Sequence, residues 1–136
     1  MTVWIIDNSI WARDALDAAV HRRVDALLAD PSNLVISCPP QALEYCFSAR
    51  DIAHYELLRD EMELLARPRY TPDLEDVLSI QQALFEQGTG RGVGVIDILI
   101  AAWALVNRAA VLTADRDFDL IARAVPEFLH EYVPGE

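Results

Sequence analysis

Apolar and polar residues follow one another along the chain in short blocks of two kinds. Val3-Trp-Ile-Ile6, Leu34-Val-Ile-Ser37 and Ala110-Val-Leu-Thr113 are brief runs dominated by apolar, mostly β-branched residues, and they read as buried strands. A last run near Phe128 to Val133 reads the same way, ahead of a tail, Pro134-Gly-Glu136. Between these runs the spacing is helical. Helices are predicted over about Asp17–Ala29, from Pro39-Pro40 through Ser48, over Ile52–Leu65, over Asp73–Gln87 and over Phe118–Ala124. Asp30-Pro31-Ser32-Asn33 stops the first of them, and the first strand is followed by a turn at Ile10 to Arg13. Asp73, Glu75 and Asp76, just after Thr71-Pro72, are first-turn acids whose expected role is capping.

The segment Gly94–Val106 breaks the pattern, because its apolar residues point in every direction around a helix. Such a helix belongs in the core. Asp97 stands in its first turn as the sole charge, and burying a lone carboxylate costs several kcal/mol or more. Free N–H groups and the helix dipole soften that cost, so a plain capping role competes with a functional one. The preceding Gly88-Thr-Gly-Arg-Gly-Val-Gly94 follows a helix rather than a strand, which excludes a dinucleotide-binding loop.

Strands alternating with helices imply a parallel sheet covered on both faces, with ligands beyond the carboxyl ends of the strands. Asp7 follows the first strand, Glu44 lies on the helix after the second, and Asp115 and Asp117 follow the third. The Asp97 helix feeds the third strand through a short turn. Caps would explain each acid singly, but less readily their common placement.

Length and composition narrow the classes. With 136 residues, 53% hydrophobic and 24% charged, the chain is expected to be one globular domain over residues 1–136 that buries roughly two-thirds of its unfolded surface. A net charge of −11 argues against electrostatic capture of nucleic acid without added cations. All eleven basic residues are arginines, which removes Schiff-base chemistry, the Walker loop and lysine-dependent phospho-aspartate chemistry. Cys38 and Cys46 form no CxxC pair and read as reduced thiols of a cytoplasmic protein, and His21, His54 and His130 lack metal-ligand spacing. No run reaches the roughly 20 apolar residues that span a bilayer, so no membrane association is expected.

Ile5-Ile-Asp-Asn-Ser-Ile-Trp11, the Ser37–Ala49 stretch with Glu44, and above all Gly94-x-x-Asp97-x-x-Ile100-Ala-Ala with Leu112-Thr-x-Asp-x-Asp-Phe118 resemble the motifs of PIN-domain endoribonucleases. The resemblance extends to the toxins of VapBC-type toxin–antitoxin pairs. Asn8 stands where Thr is frequent in that family. The resemblance implies a three-layer α/β/α sandwich with a central parallel sheet, and a homodimer neutralised by a small VapB-type antitoxin. It also implies divalent-metal cleavage of RNA to a 3′-hydroxyl and a 5′-phosphate. Asp7, Glu44, Asp97 and Asp115 match the family's acidic quartet, which holds the metal and carries catalysis. Asp117 matches an auxiliary acid, and Ser9 and Thr113 match positions that orient ligands or water.

Hard oxygen ligands in one cleft suit Mg²⁺ or Mn²⁺. Arg13, Arg91 and Arg116 flank the motifs as candidate RNA contacts. Tyr45, Phe47, Tyr55 and Leu58 are candidates for an exposed apolar surface that takes an arginine-bearing segment of the partner. Two rivals stay open, a metal-dependent DNA nuclease on a similar sheet and a noncatalytic interaction domain on the PIN scaffold.

Overall fold

The computed structural model describes residues 1–135, so Glu136, the end of the expected tail, lies outside the described residues. In chain order the elements are β1 (Thr2–Ile6), α1 (Asn8–Asp14), α2 (Ala18–Ala29), β2 (Asn33–Val35), α3 (Pro39–Phe47) and α4 (Ile52–Glu63). They continue with α5 (Leu74–Glu86), α6 (Val95–Val106), β3 (Ala109–Thr113), α7 (Asp117–Ala124) and β4 (Leu129–Tyr132). All strand pairs are parallel, in the order β2-β1-β3-β4.

Period-two alternation assigns the two faces of this sheet. Val3, Ile5, Ala109 and Val111 face one core, built with Ile80 and Leu84 of α5, Ile98 to Ala104 of α6, and Phe118 and Ile121 of α7. Trp4, Ile6, Val35 and Leu112 face the other, with Ile10 of α1 and Val20, Val24 and Leu27 of α2. The result is three layers, helix, sheet and helix. A third cluster at the side joins α3 to α4 through Cys46, Leu58 and Met62. The order places β2 on one side of β1 and β3 on the other, so the chain reverses its winding between β1 and β3. Carboxyl ends at such a switch point leave a crevice that later connections do not cover.

Local chemistry accounts for the element ends. Asp73 accepts from the Asp76 amide and Asp76 accepts from the Asp73 amide, each at 2.9 Å, closing a capping box at the start of α5. Gly88 takes φ +84° where the chain leaves α5, and a Cβ at Gly90 would overlap the Phe85 ring.

Three expectations are corrected. The turn at Ile10 to Arg13 is a helix, α1, that begins directly after Asp7. The run Leu34–Ser37 divides, because the strand proper ends at Val35 while Ile36 bridges to Ala66, with Ser37 N–H donating to the Ala66 carbonyl at 2.9 Å. Leu58 is buried rather than exposed. Both cysteines are free and buried, and among the described residues no helix is long and apolar enough to cross a membrane.

Candidate active site

Asp7 is the residue most deeply committed to the crevice. The β1–β3 ladder continues through its amide, which donates to the Leu112 carbonyl at 2.9 Å, and its side chain is buried at the start of α1 without capping that helix. Two hydroxyls hold it. Ser9 donates to Asp7 Oδ2 at 2.6 Å and Thr113 to the same oxygen at 3.1 Å. Each hydroxyl is itself fixed from behind, Ser9 Oγ by the Ala114 amide and Thr113 Oγ1 by the Asp115 amide, both at 2.9 Å. A hydroxyl has one proton to give. Both protons go to Asp7, so the 3.2 Å approach of Ser9 to Thr113 is proximity rather than a further bond. Burial nonetheless outweighs these bonds and raises the Asp7 pKa above its ordinary value.

The remaining acids arrive from separate elements. One carboxylate oxygen each of Asp7, Glu44 and Asp97 lie within 4.8 Å of one another, and so do oxygens of Asp97, Asp115 and Asp117. Asp97 belongs to both groups. Glu44 comes from the middle of α3, Asp97 from the first turn of α6, Asp115 from the segment between β3 and α7, and Asp117 from the first turn of α7. Asp115 is kept in place as the acceptor for the Asp117 amide at 2.9 Å. Among the described residues Asp97 and Glu44 accept no hydrogen bond, and no arginine is ion-paired with an acid of the cluster. The charge is therefore uncompensated. Burial first, then Asp7, Asp115, Glu44 and Asp117, pushes the Asp97 pKa up to about 7. Burial followed by Asp7 and Asp115 raises Glu44, and burial followed by Asp115 raises Asp117. An N-terminal cap would show a lowered pKa and a backbone donor; Asp97 shows neither.

The three arginines differ in circumstance. Arg13 is exposed on α1 and donates to the Ala114 carbonyl at 3.2 Å, beside Asp115. Arg91 is exposed in the loop ahead of α6 and makes no ion pair among the described residues. Arg116, between Asp115 and Asp117, is engaged elsewhere: it pairs with Asp119 at 3.2 Å and lies 3.8 Å above the Tyr132 ring. Asp119, His130 and Tyr132 were missed from the sequence. The available signal was their spacing, since His130 and Tyr132 share one face of a four-residue strand.

Of the apolar candidates on the helices beside the cleft, Phe47 and Tyr55 are exposed and Tyr45 is half-buried, edge-on to Trp11 and hydrogen-bonded to Glu61. Leu43 and Ile52 are exposed on the same pair of helices. A cavity of about 510 Å³ between α3, α4 and α6 is lined by Leu43, Cys46, Tyr55, Met62 and Trp103, with Arg59 and Arg67 at hand.

A family model described as the PIN domain matches residues 4–124. The chain is similar to Ribonuclease VapC2 of Mycobacterium tuberculosis, at 33% identity over 125 residues, covering 88% of this chain and 84% of the relative. Ribonuclease VapC17 of the same organism is 32% identical over 130 residues, covering 94% of this chain and 93% of the relative. Among solved structures, the VapBC2 complex of Rickettsia felis, bound to a DNA fragment from its promoter, superposes with a TM-score of 0.67 at 13% identity. That match covers 96% of this chain and 98% of the other. VapBC-1 of nontypeable Haemophilus influenzae gives a TM-score of 0.63 at 18% identity, with the same coverage of 96% and 98%. At such identities the superpositions speak for the fold.

Proposed function

Because the chain belongs to the PIN-domain family, we propose that it is a divalent-metal-dependent endoribonuclease and the toxin of a toxin–antitoxin pair. The observation that carries this reading is the pair of overlapping carboxylate groups sharing Asp97, with no arginine ion-paired to them among the described residues. An acid held up to about 7 by burial and then by its neighbours is a site that gains by binding a cation. Oxygen-only donors at this spacing fit Mg²⁺ or Mn²⁺. Asp7, Glu44, Asp97 and Asp115 would hold the metal, with Asp117 as an auxiliary acid. Bound there, the ion supplies an activated water and charge neutralisation at the scissile phosphate.

The protein's own contribution is positional. Ser9 and Thr113 hold Oδ2 of Asp7 in place, and the amides behind them stop either hydroxyl from turning. Arg13, which spends one N–H on the Ala114 carbonyl, and Arg91 are exposed cations that would meet the RNA backbone beside an acidic edge. The ribonuclease relatives support RNA as substrate, and the VapBC neighbours support a VapB-type antitoxin as partner. That partner would anchor apolar residues on the exposed side chains of α3 and α4 and reach the acids with an arginine. A homodimer and a single domain over residues 1–136 belong to the same proposal.

The test is cleavage of total cellular RNA by purified, antitoxin-free protein with Mg²⁺ or with EDTA. Cleavage confined to the Mg²⁺ arm, leaving a 5′-phosphate on the downstream product, is expected. Equal cleavage in both arms would contradict the metal mechanism, and no cleavage of any RNA would favour the noncatalytic rival.

A further inference from the structure

Resting on the ribonuclease reading, we propose that Arg116 and Tyr132 form a stacking subsite for one unpaired nucleobase of the RNA, beside the acidic cleft. The guanidinium lies 3.8 Å above the Tyr132 ring, yet the Arg116 side chain remains 69% exposed. The ring thus covers the guanidinium carbon from one side while most of the side chain stays open to solvent. Flat cationic and aromatic faces are what unstacked bases settle on in single-stranded RNA recognition.

Arg116 is poorly placed to act as a phosphate clamp. Its charge is already paired with Asp119 Oδ2 at 3.2 Å, and Asp119 also bonds His130 Nε2 at 2.7 Å through its other oxygen. What the pairing leaves available is the face, not the charge. The arrangement is also held from the core outward. Phe118, fully buried, stacks on Phe128, Phe128 stacks on His130, His130 bonds Asp119, and Asp119 fixes Arg116 over Tyr132. A long side chain that is already ordered loses little further freedom when a base is laid on it.

The location suits a nucleotide next to the reacting phosphate. Tyr132 is the register partner of Thr113, whose hydroxyl touches Asp7. The platform therefore sits about one strand spacing, roughly 4.8 Å, outward from the residue that holds the most buried acid. Arg116 itself lies between Asp115 and Asp117 in the chain, so a base on it is tethered close to the carboxylates.

The experiment uses a single-stranded RNA oligonucleotide spanning a cleavage position mapped in total RNA, and a series in which one nucleotide at a time around that bond lacks its base. With the parent protein and Mg²⁺, removing the base at one particular neighbouring position should raise KM about ten-fold. Arg116→Lys keeps the charge and loses the plane; it should raise KM on intact RNA by a similar factor and become insensitive to loss of that base. Tyr132→Leu should follow Arg116→Lys, and if it melts early the exposed Arg116→Lys still decides the matter. An Arg116→Lys effect of equal size on intact and base-free RNA, or no effect on either, would overturn the stacking subsite. Failure of the parent to cleave any RNA would instead overturn the ribonuclease reading, and the subsite with it.

Discussion

Asp97 concentrates the energetic conflict of the molecule in one carboxyl group. Its pKa is raised from 3.8 to about 7 by burial and four like charges. A carboxyl that binds its proton more tightly in the folded state adds stability at low pH and loses it as pH rises through the folded value. Without metal, stability should therefore fall from about pH 4 to pH 7 and level off above, with Asp7 and Glu44, also raised, acting in the same sense. Asp30 and Asp119 are shifted the other way, so their stabilising contributions are lost only in more acidic solution and leave this window clear. In EDTA, melting temperature should decline between about pH 4 and pH 7 and change little above. Asp97→Asn should remove much of that slope, a difference on the order of 1–2 kcal/mol, because a site open to water screens part of the shift. A mutant with the parent's slope would show that the charge at Asp97 is not what the neighbours oppose.

At the scale of elements, the strands and most helices were legible because each carries its own period. Observed ends differ from those read off the sequence by a residue or two for α2, α3, α4, α5, β3, α7 and β4. The exceptions need partners distant in sequence. Ile36 looks like a strand residue, yet its strand-like pairing is with Ala66, a bridge no local pattern announces. Leu58 looked available on a mixed helix and is buried because α3 lays Cys46 and Met62 lies one turn on. That difference gives a paired prediction. Leu58→Ala opens a cavity between α3 and α4 and should cost about 2–4 kcal/mol in denaturant unfolding. Phe47→Ala, at a side chain 91% exposed, should change stability by less than about 0.5 kcal/mol while weakening capture of a VapB-type antitoxin, the proposed partner. Unchanged capture by Phe47→Ala would move the partner's anchor off this helix pair.

Across the whole molecule, a chain of net charge −11 brings the acids of the cluster from four segments to the carboxyl edge of β1 and β3. The acids themselves could be read from the sequence, since Asp7, Asp115 and Asp117 follow strands, Glu44 lies on the helix after one, and Asp97 opens a helix that is otherwise apolar. What could not be read was their grouping, with Asp97 in both triads and Asp117 within 4.8 Å of it alongside Asp115. Nor was it visible that Arg116 turns away to Asp119 and Tyr132, because only the sheet register brings β4 to that side. Self-repulsion at this edge makes a cation part of the account rather than an accessory.

The most direct test is a pair of thermal melts at neutral pH, parent and Asp97→Asn, each in EDTA and in excess Mg²⁺. In EDTA the mutant should be as stable as the parent or more stable, since it keeps the shape and sheds an opposed charge. A ligand that binds only the folded state raises stability with the logarithm of its saturation, so Mg²⁺ should lift the parent well above a mutant that binds it poorly. Reversal of the ranking is the predicted result. A mutant much less stable in EDTA, or a parent indifferent to Mg²⁺, would contradict the account and leave Asp97 as a structural residue of the α6 helix.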